Sequence, residues 1–173
     1  PELDSYAARI SYNPTGAWSF QTSYGHIDSP EQLHSDVDTG RLTASAIFNK
    51  KFDNNNWQTM AAWGENMNDP GNNLYAFLLE SALRMRDTHT FFVRLERVQK
   101  DELFHDDVQY PQYEGKIFDV NRAGFGYIYD FPQFKRVRFG VGGSLEVNIL
   151  PSKLHAAYGS MPKGYMIFGR LKF

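Results

Sequence analysis

Apolar residues recur at every second position over most of the chain, and helical spacing is scarce. In "KRVRFGVGGSLEVNIL", Val137, Phe139, Val141, Gly143, Leu145, Val147 and Ile149 share one side. Arg138, Gly140, Gly142, Ser144, Glu146 and Asn148 share the other. "NLYAFLLESALRM" sets Tyr75, Phe77, Leu79, Ser81 and Leu83 against Ala76, Leu78, Glu80, Ala82 and Arg84, and "HTFFVRLERV" sets Phe91, Val93 and Leu95 against Phe92, Arg94 and Glu96. The alternation predicts nine strands, at about 4–12, 17–27, 41–51, 56–66, 73–85, 89–99, 117–130, 136–150 and 164–173. Several reach ten residues or more, which exceeds the roughly five or six of a globular strand. It is the length a tilted strand needs to cross a bilayer.

The predicted connections alternate as well. "NPTG", "KKFDNNN", "RDT" and "DFPQF" are short, while "IDSPEQLHSDVDTG", "NMNDPGNN", "KDELFHDDVQYPQYEG" and "PSKLHAAYGSMPKG" are long. Tight turns at one end and longer loops at the other characterise an outer-membrane barrel. A β-sandwich has no reason to alternate them so regularly. The predicted class is therefore all-β, an antiparallel up-and-down transmembrane barrel in the bacterial outer membrane. Trp18, Trp57, Trp63, Tyr127, Tyr129, Tyr165 and Phe173 lie toward strand ends, where amphipathic rings suit a membrane–water interface. The last strand, "GYMIFGRLKF", alternates up to its terminal phenylalanine, and lipid would cover that face to the final residue. An aromatic end of this kind resembles the strand that the bacterial outer-membrane insertion machinery recognises, which implies that machinery as a partner.

Composition sharpens this reading. The net charge is -2, so the balance does not point to nucleic acid. Absence of cysteine excludes a disulfide scaffold, a thiolate metal site and a cysteine nucleophile. Aromatics make up 16% of a chain whose mean hydropathy is -0.51. No apolar run approaches the roughly 18 residues of a membrane helix. That criterion is blind to barrels, whose strands average out as polar. "PELDSYAARI" shows no signal-peptide pattern.

Residues 1–173 form one predicted barrel domain. Nine strands is an odd number, whereas bacterial single-chain barrels have even counts. Tracing the turns back also puts Pro1 on the external side. Either one of the nine is not a strand and the barrel is a small eight-stranded one, or, as the clean hairpin pattern of "YAARISYNPTGAWSFQTSYG" favours, this is the C-terminal part of a larger barrel with further strands upstream. The stretches "LDSYAARISYNPTGAWSFQTSYG", "SPEQLHSDVDTGRLTASA", "FFVRLERVQKDELF", "GYIYDF", "FGVGGSLEV" and "AAYGSMPKGYMIFGRLKF" together resemble the C-terminal half of a family of uncharacterised bacterial outer-membrane β-barrel proteins. The resemblance implies the same architecture and a gene neighbourhood rich in copper and heavy-metal handling functions. It implies no activity for any named residue.

Three places could carry chemistry. Glu80, Arg84, Arg94, Glu96, Arg122, Arg138, Glu146 and Arg170, with Lys172, fall on the polar side of their strands. Such charges either line a water-filled pore and set its selectivity or pair across a narrow lumen and plug it. The second place is acidic: His26, Asp28, His34, Asp36 and Asp38 in one loop region, and His105, Asp106 and Asp107 in another. Imidazole with carboxylate can hold a divalent cation, although no spacing here matches a known site. The alternative is a solvated acidic loop, or one bridged by cations to lipopolysaccharide. The third place is enzymatic, and no Gly-x-Ser-x-Gly elbow appears. The expected function is a passive, non-enzymatic pore for ions or small solutes without a resident cofactor. The other reading is a closed barrel whose acidic loops bind metal or a partner protein.

Overall fold

A computed structural model describes residues 4–30, 36–104 and 107–173. Nine strands form one antiparallel sheet in chain order: β1 (Tyr6–Tyr12), β2 (Trp18–Ile27), β3 (Asp38–Phe52), β4 (Asn55–Asp69), β5 (Asn73–Met85), β6 (His89–Lys100), β7 (Phe118–Asp130), β8 (Arg138–Ile149) and β9 (Lys163–Lys172). Every strand pairs with its sequence neighbour, which makes an up-and-down meander without crossovers. All strands except β1 span 10 to 15 residues. Among the described residues, β1 pairs with β2 alone and β9 with β8 alone, so the sheet is open at both edges.

The register carries one apolar face across the whole sheet. Phe20, Ala46, Ala61 and Leu79 follow one another through successive strand pairs, and then Leu95, Ala123, Val147 and Lys163. A one-residue slip would send these side chains to the other face. The opposite face is polar, and it is also the more sheltered one. Leu145 on the apolar face is 68% exposed, while its neighbour Ser144 on the polar face is 8% exposed. Phe77, Phe91, Phe125, Phe139 and Ile167 are exposed in the same way. A water-soluble sheet has the reverse arrangement.

Turns at one end are 13–17, 53–54, 86–88 and 131–137. At the other end lie 28–37, 70–72, 101–117 and 150–162. The strict alternation of short and long connections fails at one point. "NMNDPGNN" was expected as a long loop, but β4 runs on to Asp69 and β5 starts at Asn73. Asn68 holds β4 to β3 by accepting from the Thr39 hydroxyl at 2.9 Å, so polar residues continue the ladder there.

Buried apolar side chains collect at the loop end. Phe104, Phe118 and Leu154 form a small core with Leu103, Tyr110, Tyr113 and Leu150 around it. The Phe104 ring lies 5.2 Å from Tyr113, 5.4 Å from Tyr110 and 5.8 Å from both Phe118 and Tyr158. The Tyr158 hydroxyl donates to the Leu103 carbonyl at 2.9 Å. The described parts of loops 101–117 and 150–162 are thereby packed into one cap, rooted at the first residue of β7.

Candidate functional site

The polar face is the candidate site. Its charges come from different strands that the register aligns in rows. Glu80 on β5, Arg94 on β6 and Gly124 on β7 form one row, with Glu146 on β8 as the next member. Arg94 donates to Glu80 through Nη1 and to Glu96 through Nε at 3.0 Å and Nη2 at 2.9 Å. Arg122 pairs with Glu146 at 3.2 Å. A cavity of about 470 Å³ lies beside these groups, lined in part by Gln58, Glu80, Arg94, Ser144 and Glu146.

A second cluster lies at the turn end. The Asp130 carboxylate is wholly buried and accepts from Arg170 Nε at 3.0 Å and Lys172 Nζ at 2.8 Å. Those bases stand on β9, two strands away, and reach across β8 where it presents Gly140. A Cβ at Gly140 would sit 2.5 Å from the Asp130 carboxylate oxygen. Glycine at that position is what lets the ion pairs form. Arg84 pairs with Asp87 at 3.3 Å, and Arg138 donates to the Asp87 carbonyl at 2.9 Å.

All nine charged positions predicted for this face therefore lie on it by register. Glu80, Arg94 and Glu96 are brought together, as are Arg122 and Glu146, while Arg84, Arg138 and Arg170 gather near the turns. Sequence reasoning missed Asp130, the most deeply buried carboxylate among the described residues. Its signal was available: it falls in the polar phase of "GYIYD", two residues after Ile128. Arg97, by contrast, stands on the apolar side and pairs with Asp119 at 2.9 Å near the loop end.

The aromatic positions divide. Trp18 stacks on Phe20 at 5.7 Å and approaches Phe48 at 4.9 Å, and Phe48 meets Trp57 at 5.3 Å. Tyr127 lies 5.0 Å from Phe91, and Tyr129 lies 5.5 Å from His89. These rings form a belt on the apolar side at the turn end, close to where Phe173 follows β9. Tyr165 is exposed on the same side toward the loop end. Trp63 departs from the expectation of a strand-end position. It sits mid-strand, between Ala44 and Phe77, because β4 extends further than its apolar pattern indicates.

Among the predicted cation ligands, His34, His105 and Asp106 lie outside the described residues. His26 faces the apolar side with its ring 5.5 Å from Tyr6. The Asp28 carboxyl is raised above the usual carboxylate range, chiefly by a hydrogen bond shared with Asp38 and then by that group's charge. Asp36 is exposed. Asp107 accepts from the backbone N–H groups of Gln109 at 2.8 Å and Tyr110 at 3.1 Å, which is a turn-capping role. Among the described residues no three His, Asp or Glu side chains gather as a metal site would require.

OccK11 (OpdR) of Pseudomonas aeruginosa superposes with a TM-score of 0.59 at 10% identity, over 98% of this chain and 58% of that one. OmpT, an outer membrane protein of Vibrio cholerae in its trimer form, gives 0.50 at 10% identity, over 96% of this chain and 54% of that one. The fold is that of an outer-membrane β-barrel. The chain spans little more than half the length of either structure. No family model and no curated protein matches it.

Proposed function

We propose that the chain is part of an outer-membrane channel, a passive and non-enzymatic path for ions or small solutes. The observation that carries this reading is the inversion of the sheet: the apolar face is the exposed one and the polar, charged face the sheltered one. Lipid solvates the first, and water and solute occupy the second. Strands of 10 to 15 residues suit a tilted crossing. In this reading the turn end is periplasmic, the loop end is external, and the cap over β7 narrows the external mouth.

The open edges support a larger barrel. An unpaired strand edge in lipid leaves backbone groups unsatisfied at several kcal/mol each. Further strands between β9 and β1, supplied upstream of Pro1, would remove that cost. A wider barrel leaves room for water between the charges, which favours pore lining over a plug.

The test is single-channel recording of the protein at its full natural length in a planar bilayer. Discrete open steps are expected. Folded protein that stays silent, or that remains soluble and folded without detergent, would sink the proposal.

A further inference from the structure

The channel reading leaves the sign of the permeant ion open, and the charge register bears on it. The acids that face inward on the strands are Glu80, Glu96, Asp130 and Glu146. Each is engaged by an inward base. Bases are left over. Arg9, Arg41, Lys51, Lys100 and Arg138 hold inward register positions and have no carboxylate partner among the described residues. Arg41 donates to Asn66 Oδ1 at 2.9 Å and Arg138 to a carbonyl, and neutral acceptors leave the charges uncompensated. A chain of net charge -2 thus turns a positive face inward and carries its surplus acids on the loops and the outer side.

Inward bases also gather at the turn end, where three of them face two carboxylates and Asp87 pairs with Arg84 at 3.3 Å. Arg84, Arg170 and Lys172 line a cavity of about 250 Å³ together with Asn56, Gln58 and Thr90. One carboxylate, Asp130, serves both Arg170 and Lys172. Within the same cluster, Arg84 Nε and Thr90 Oγ1 are buried and make no hydrogen bond. Buried polar atoms are nearly always satisfied, so an unpaired guanidinium N–H beside an unpaired hydroxyl calls for an acceptor. At roughly 30 Å³ per water, the cavity holds a small oxyanion with part of its hydration shell.

Resting on the channel reading, we propose that the lumen passes small anions in preference to cations and that Arg84, Arg170 and Lys172 form a station that binds an oxyanion in transit. Low-dielectric walls focus the field of fixed charges, and rings of Arg or Lys favour anions.

The test uses the protein at its full natural length under a potassium chloride gradient, with inorganic phosphate as probe. The expected reversal potential lies on the anion side, and phosphate reduces the chloride current. In the double variant Arg84→Gln, Lys172→Gln, the reversal potential should move toward zero, and a several-fold higher phosphate concentration should be needed for the same block. Asp130 keeps Arg170 in that variant, and heat-modifiable gel mobility checks that it folds. A reversal potential on the cation side, or unchanged phosphate sensitivity in the double variant, overturns the proposal. A silent bilayer from folded protein removes the channel reading and with it the anion preference. Calorimetry with phosphate in detergent then still decides the station, which fails if the unmodified protein and the double variant bind alike.

Discussion

Gly126, Gly140 and Gly142 are spaces that neighbouring side chains occupy. A Cβ on Gly126 would meet the Phe92 ring at 2.0 Å. On Gly142 it would meet Phe168 at 2.8 Å, Ile128 at 2.9 Å and the Tyr127 carbonyl at 2.9 Å. Rings and an arginine from adjacent strands lie flat across these positions, which lets a crowded polar face accept large groups. Overpacking of this kind costs about 1–3 kcal/mol. Gly142→Ala should therefore lower stability by that amount in urea unfolding from lipid vesicles. Gly16→Ala, which meets nothing within 4 Å, should change it little. Equal effects at the two sites would contradict this account. The glycine-rich strings of β7 and β8 are thus explained by packing.

Among the elements, the loops 101–117 and 150–162 depart furthest from what their composition indicates. They read as long connections, the first of them acidic, yet they share the best-buried apolar side chains in the described part of the molecule, Phe104 at 1% and Leu154 at 0% exposure. Truncating a buried phenylalanine costs about 3–5 kcal/mol. Here the loss should fall on the cap alone, because hydrogen-bonded ladders hold β6 to β9 independently of it. Phe104→Ala is expected to open both loops to limited proteolysis while the strands stay protected. Cleavage that reaches the strands at the same rate would show that cap and sheet unfold together. The loops were illegible in sequence because their apolar residues follow no period and find their partners in another loop.

For the whole molecule, the two faces of the sheet predict opposite tolerances. Leu79 sits in the middle of the apolar face and Ala82 on the polar one. An arginine facing the midplane of a bilayer costs about 2–4 kcal/mol, whereas lumenal substitutions are far milder. Leu79→Arg should destabilise the protein by that amount in vesicle refolding, and Ala82→Arg should leave stability nearly unchanged. Reversed or equal costs would place lipid on the wrong face.

The sequence by itself determined the strands and their faces, because a period of two is local and survives without knowledge of any partner. The expected 73–85 is β5 to the residue, and every charge assigned to the polar face lies there. Strand ends rich in Asn and Asp were read as loops, since backbone pairing continues where the apolar signal stops. Tertiary structure alone decided which charges meet. Asp130, Arg170 and Lys172 converge because β8 offers Gly140 between them, and Arg84 lines the same cavity from four strands away. Such contacts depend on side-chain reach across a curved sheet, a distance that spacing along the chain does not encode. The cap is decided the same way: burial of Phe104 and Leu154 requires two loops to meet that are about 50 residues apart along the chain, so no local pattern announces it.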